Sequence, residues 1–301
     1  ATSPDALPFL LSRLFTVDDF ERAAKLILPP SVYDYASSGA DPSHTLLENT
    51  SLFSSLAIVP RVHASSNTPC PKTSLPSLTP PGAPPLAFPL LISPFGVHKL
   101  AHPDGEPGSA LAAAAVGAGF ALSQHSTTRI EEVPLPEGLR GHAWFQSYIL
   151  KDREVSLRIA RRAKAHGYTA LVITVDSPVF GFRAGDARNR FAALPDGLTY
   201  ANYDRDAIDA FGDRSGGLDD QISRIFDASL RISDITAFAA AVGLPFLLKG
   251  LLHPADVLTA ARAGAAGVIL GNHGGRQLGS APAAAAAIPA ARRALDAAGF
   301  G

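Results

Sequence analysis

A chain of 301 residues, 47% of them hydrophobic and 18% charged, is long enough to bury a sizeable core, as one large α/β domain or as two smaller ones. Its formal net charge of −1 gives no electrostatic basis for binding nucleic acid or an anionic membrane surface. A single cysteine, Cys70, excludes an intrachain disulfide framework and a cysteine-rich metal site, and no apolar run reaches the ~18 residues of a membrane-spanning helix.

Helical patterning is predicted over 16–28, opening on Thr16 as a cap before Asp18 and Asp19, and again over 42–57. Residues 60–87 are rich in Pro, Ser and Thr and read as an extended connection. From there a rhythm begins. Short apolar runs at 89–93, 119–122, 142–147, 169–175, 245–249 and 266–271 alternate with helical stretches near 105–117, 152–166, 232–242, 254–263 and 283–298, with a shorter one near 129–133. Buried runs bounded by Gly or Pro and interleaved with amphipathic helices indicate a parallel sheet of βαβ units. The polar segment 177–231 is unusually long for a connection, which is the usual mark of an active-site loop.

Six strand–helix units are therefore expected, and the chain ends where the seventh and eighth of a (β/α)8 barrel would follow. A doubly wound open sheet is the competing fold. It lacks support, because no Gly-x-Gly-x-x-Gly follows the first strand and polar residues stand after many strands rather than at one crevice. Those residues close successive apolar runs: Ser123 the second, Gln146 and Tyr148 the third, Thr174 and Asp176 the fourth, Lys249 the fifth, and His273 with Arg276 the sixth. In a barrel, strand C-terminal ends build the active site. Each residue also has a plainer reading: Tyr35 and Tyr148 packed with their hydroxyls outward, Asp176 as a helix cap, Arg183 as a surface cation.

The pieces Val-Tyr-Asp-Tyr-Ala-Ser-Ser-Gly-Ala (32–40), Lys-Leu-Ala-His-Pro-Asp-Gly-Glu (99–106), Phe-Gln-Ser-Tyr (145–148) and Thr-Val-Asp-Ser-Pro (174–178) resemble one family. So do Arg-Asn-Arg-Phe (188–191), Leu-Lys-Gly (248–250) and Asn-His-Gly-Gly-Arg-Gln-Leu (272–278). That family is the FMN-dependent α-hydroxy acid oxidases and dehydrogenases, with glycolate oxidase, lactate oxidase and flavocytochrome b2 among them. The match runs in order from about residue 16 to the end, so residues 1–301 read as one such domain: an N-terminal helical and extended segment to residue 87, then barrel units one to six. The resemblance implies FMN as cofactor, a small 2-hydroxy acid as substrate, and oxygen or another electron acceptor as partner, in a chain that forms homo-oligomers. Neither terminus carries a secretory or peroxisomal signal, and the expected setting is intracellular, cytoplasmic or peroxisomal.

By the same resemblance His273 is the base, Asp176 supports its imidazole, and Lys249 sits beside the flavin N1–O2 edge. Arg276 and Arg183 hold the substrate carboxylate bidentately, with hydrogen bonds from Tyr35 and Tyr148. Ser123, Gln146 and Thr174 bond the polar rim of the flavin ring, and the Pro94-Phe95-Gly96 turn lays backbone against it. His102 is read as structural. Several positions depart from the family pattern. His125 replaces a Trp or Ala near the substrate side chain and adds a second imidazole; Gly271 replaces a Ser, Gly279 an Asp, and Phe95 is bulkier than expected. The family segments that grip the FMN phosphate would lie beyond residue 301. Two alternatives follow: a flavin-free homologue serving as a binding or interface protein, and lactate-monooxygenase-like or lyase chemistry.

Overall fold

The apolar runs become strands because they are covered on both sides, and period-two alternation decides which side each residue serves. The computed structural model describes residues 12–60, 78–191, 193–204 and 224–300. Cys70, the middle of the extended connection and the centre of the long 177–231 loop lie outside the described residues. The six strands are β1 (Leu91–Ile92), β2 (Gly119–Ser123), β3 (Ala143–Ser147), β4 (Ala170–Thr174), β5 (Phe246–Leu251) and β6 (Gly267–Leu270). All pairs are parallel and the spatial order is the chain order, β1 to β6. A doubly wound sheet reverses its order at a switch point. This one never does, and its arrangement is that of six successive units of a barrel.

One face of the sheet carries Phe120, Leu122, Phe145, Leu171, Ile173 and Leu248. They pack on α4 (Gly105–Val116), α5 (Arg153–His166), α7 (Ile232–Val242) and α8 (Pro254–Arg262) through Ala110, Ile159, Phe238 and Val257. Fully burying one such side chain contributes about 1.5–3 kcal/mol. The other face points inward, where Ala121, Trp144, Ala170, Val172 and Leu247 form a smaller cluster with Ile269. At the C-terminal ends of β2 to β5 this inward row changes from apolar to polar, and there the site is built.

Boundaries follow local chemistry. β1 shrinks to two residues between Pro89 and Pro94, and Thr16 closes a capping box with Asp19 at the start of α1 (Val17–Ile27). The stretch predicted near 129–133 is a 3-10 turn, Ile130–Glu132, and α9 (Ile288–Ala297) is preceded by another, Ala284–Ala287. Two helices were not predicted from the sequence: α2 (Pro30–Ser37) and α6 (Ala184–Asn189). With α3 (His44–Ser55), α2 lies over the loop that follows β6. Thr45 Oγ1 donates to Leu278 O (2.7 Å) and accepts from Ala281 N–H (2.7 Å), while Asn49 and Asn272 exchange amide hydrogen bonds of 2.9 and 2.8 Å. No helix among the described residues is long and apolar enough to cross a membrane.

Candidate active site

The polar ends of β2 to β5 form one row. Ser123 Oγ donates to Gln146 Oε1 (3.0 Å), and Gln146 Nε2 donates to Thr174 Oγ1 (3.0 Å). Lys249 follows on β5, its register partner on β4 being Thr174. Above the row opens a cavity of ≈ 410 Å³. Pro94, Phe95, Gly96, His125, Tyr148 and Tyr200 line it, together with Tyr35, Arg183, His273 and Arg276. Every predicted site residue except Asp176 lines this cavity, and Asp176 touches it through His273.

The Asn272–Gln277 loop is shaped by its backbone. His273 lies at φ 57°, Gly274 at 65° and Gly275 at 72°, three successive residues in the left-handed region. Histidine tolerates that region better than most residues, but holding it there still stores strain of a kind found at functional sites. Gly275 is required outright, since a Cβ would stand 2.6 Å from the Leu46 backbone nitrogen. The turn aims His273 Nδ1 at Asp176 Oδ1, 2.8 Å away, and Ser177 Oγ lies 3.1 Å from the same nitrogen while donating to Asp176 Oδ1 at 3.2 Å.

Burial works to raise the Asp176 pKa, but the hydrogen bond and charge of His273, aided by Lys249, hold the carboxyl below its ordinary range. In the neutral imidazole, a charged Asp176 assigns the proton of His273 to Nδ1 and leaves Nε2 as the accepting nitrogen. Gly250 makes room for this carboxylate: at φ 108° it sits in the bulge of β5, and a Cβ there would fall on Asp176. Burial pushes the Lys249 ammonium pKa down while Asp176 pushes it up.

Arg276 Nη1 donates to the carbonyls of Tyr35 (2.5 Å) and Ser38 (3.0 Å), and its guanidinium lies 4.9 Å from the Tyr35 ring centroid. Arg183 is buried and pairs with Asp186 at 2.7 Å, so part of its charge is already answered within α6. Tyr148 is buried, and burial with the Asp176 charge keeps its phenol protonated well above the usual range. His102 is exposed on the surface, away from the cavity.

His125 stacks on Tyr148 at 4.9 Å, and its Nε2 meets Tyr203 Oη at 2.8 Å. Burial, and repulsion from His273, push its pKa down to about 3, so this second imidazole is neutral and holds no extra proton at neutral pH. Sequence reasoning missed Ser177, Gln124, Tyr203 and Phe226. Gln124 accepts from Tyr148 N–H (3.0 Å) and donates to Tyr203 Oη (2.8 Å), while Phe226 stacks on Tyr148 at 4.5 Å.

Comparison with known proteins settles the lineage. The model of the family described as FMN-dependent dehydrogenase matches residues 24–298. The chain belongs to the FMN-dependent dehydrogenase family. It is 36% identical over 287 residues to 2-hydroxyacid oxidase 1 of Homo sapiens, covering 93% of this chain and 75% of that protein. To glycolate oxidase of Spinacia oleracea it is 37% identical over 276 residues, 90% of this chain and 72% of the relative. A crystal structure of mandelate oxidase with (S)-4-hydroxymandelic acid superposes with a TM-score of 0.80 at 32% identity, over 94% of this chain and 77% of the other.

The cofactor of an FMN-dependent dehydrogenase can be tested against this cavity. The inward row supplies a hydroxyl, an amide and a second hydroxyl side by side, which suits the polar rim of a flat heteroaromatic ring. Lys249 brings an ammonium that makes no hydrogen bond to a described residue, a site for negative charge on that ring. Gly96 stands beside this row, where a Cβ would lie 3.3 Å from His125 and 3.8 Å from Ser123 Oγ. The ring-side residues fit the isoalloxazine of FMN.

Proposed function

We propose that this chain oxidises small 2-hydroxy acids to 2-keto acids, with His273 as the base. The observation that carries the reading is the His273–Asp176 pair, 2.8 Å apart, standing over a cavity that Arg276, Tyr35, Tyr148 and Lys249 also face or line. FMN, when bound, supplies the two-electron acceptor, with oxygen or another acceptor taking the electrons onward. Ser123, Gln146, Thr174 and Lys249 are assigned to its ring edge, and Pro94, Phe95 and Gly96 to its face.

Oxidation of the alcohol to the carbonyl removes two protons and two electrons: His273 is assigned one proton through Nε2, and FMN, when bound, would take up the electron pair with the second proton. Asp176 then shares the positive charge of the imidazolium, as buried carboxylates do in other His-dependent sites. The substrate carboxylate is assigned to Arg276, whose Nη1 bonds fix the plane of its fork, with Tyr35, Tyr148 and Arg183 completing the clamp. His125 borders the space left for the substrate side chain, and as a neutral ring it sets polarity there rather than charge. The small net charge is in keeping with a small-molecule enzyme that uses neither nucleic acid nor membrane, and the setting we infer is cytoplasmic or peroxisomal.

An anaerobic spectrum tests the reading. Protein incubated with FMN should retain bound-flavin absorption that bleaches on addition of glycolate, lactate or mandelate, with one keto acid formed per flavin bleached. Protein that stays colourless rejects the flavin assignment, and coloured protein that no 2-hydroxy acid bleaches rejects the substrate class. Release of a decarboxylated acid in place of the keto acid would favour monooxygenase chemistry.

A further inference from the structure

One buried charge is not used by the chemistry above. Glu106, in the first turn of α4, is fully buried, yet it does not line the cavity. Its carboxylate accepts from His98 N–H (3.0 Å), Thr127 N–H (2.8 Å) and the hydroxyls of Thr127 (3.0 Å) and Thr128 (2.7 Å). Burial works to raise its pKa, and those donors hold it below the ordinary range instead.

The donors belong to two different loops. His98 follows β1, whose loop supplies Pro94, Phe95 and Gly96 to the cavity, and Thr127 and Thr128 follow β2, whose loop supplies His125. Between them sits Val97, at φ 56° and ψ 46°. A β-branched residue in the left-handed region is a genuine outlier and persists only where its surroundings impose it. Its own N–H donates to His125 O at 3.1 Å, and the next N–H along the chain is the one that Glu106 captures.

We propose that Glu106 is a positioning residue for the cofactor-facing wall: its carboxylate braces the β1 loop against the β2 loop, keeps Val97 left-handed, and so fixes Gly96 and His125. The two loops are otherwise joined by few bonds, Val97 N–H to His125 O and Lys99 N–H to Thr127 Oγ1 (3.2 Å). A glutamine can keep Oε1 for the His98 and Thr127 N–H groups, but its NH2 must donate to a threonine hydroxyl that now donates to Oε2. Every bond of the brace also loses its charge assistance, so both loops are held less firmly. The proposal rests on the flavin reading only for what the wall faces, and the brace itself can be tested without cofactor.

Hydrogen exchange on the full chain is that test. In Glu106→Gln, peptides spanning 93–100 and 123–130 are expected to exchange at least about tenfold faster, while peptides of β3 and β4 keep their protection. Uniform acceleration across the molecule, or unchanged loops in a folded variant, overturns the proposal. Thr128→Val removes one donor at nearly constant shape and should accelerate the same two loops to a smaller extent. It decides the matter if Glu106→Gln does not fold, because unchanged loops in Thr128→Val would then sink the idea.

FMN titration by fluorescence quenching adds a second readout. Glu106→Gln should raise the dissociation constant by about tenfold, and less in a Val97→Gly background, because glycine adopts the left-handed region without being held there. An equal rise in both backgrounds overturns the link to Val97. If the unsubstituted chain binds no FMN, the flavin reading fails while hydrogen exchange still decides the role of Glu106.

Discussion

At the scale of single residues, the site depends on one carboxylate being charged and correctly aimed. Asp176→Asn preserves shape but removes the charge that, in the proposed mechanism, steadies the imidazolium. The rate of flavin reduction by substrate in stopped flow should fall by about a hundredfold or more, with FMN affinity little changed. A near-normal rate would reject the pairing of Asp176 with His273 as the working base. Gly250→Ala reaches the same carboxylate from behind. A methyl there collides with Asp176 at a φ of 108°, so the reduction rate should fall without any titratable group being altered. Most of this site was legible in the sequence because Ser123, Gln146, Thr174 and Lys249 each end an apolar run. A polar residue at the end of a barrel strand has one place to go, the mouth. Gln124, Ser177, Tyr203 and Glu106 were not legible as partners. Their roles come from contacts such as Gln124 with Tyr203, 79 residues apart, and no spacing rule records those.

At the scale of elements, the segment α2–α3 is what turns strand ends into a closed site. It supplies Tyr35, takes the Arg276 guanidinium on the Tyr35 and Ser38 carbonyls, and holds the β6 loop through Thr45 and Asn49. Thr45 is fully buried, and its hydroxyl also reaches Ala281 O at 3.1 Å. Thr45→Val would leave the Ala281 N–H without its acceptor, at a cost of about 1–3 kcal/mol. Chemical denaturation should show that loss, and KM for the hydroxy acid should rise more than kcat falls, because Arg276 loses its fixed plane. An unchanged KM would mean that the β6 loop holds its shape without α3. The helical character of α2 escaped sequence reading for a physical reason. Pro29 and Pro30 suggest a break, although Pro30 serves as the first residue of the helix, and only Val32 is buried, so no apolar stripe announces it. The strands were legible because burial on both faces leaves unbroken apolar runs of characteristic length.

At the scale of the whole molecule, stability should respond both to protons and to the occupant of the cavity. Asp176 and Glu106 each have a folded-state pKa held below the ordinary carboxylate range. Their stabilisation is therefore complete above the pKa of the unfolded chain and is lost as the pH falls through the lower, folded-state pKa values. Urea unfolding should be insensitive to these two groups from about pH 7 to pH 5 and weaken on further acidification, less steeply in Asp176→Asn, which lacks one contribution. A slope identical in that variant would show that Asp176 is not held charged by the fold. The cavity couples parts of the chain that are far apart, since its walls come from α2, from the ends of β1 to β5 and from the loop after β6. A ligand that touches all of them binds the folded state alone. FMN at about one hundred times its dissociation constant should then add about 2.7 kcal/mol. For a chain of 301 residues that corresponds to a rise of roughly 4 °C in the melting temperature. Circular dichroism should show a single transition moving upward as a unit, because no wall of the cavity can melt while the ligand stays bound. Two separating transitions would mean that α1–α3 or the β1–β2 end unfolds independently, and that the cavity is held together less tightly than its hydrogen bonds imply. An unmoved transition at saturating FMN would mean that the inward row of Ser123, Gln146, Thr174 and Lys249 does not hold the ring.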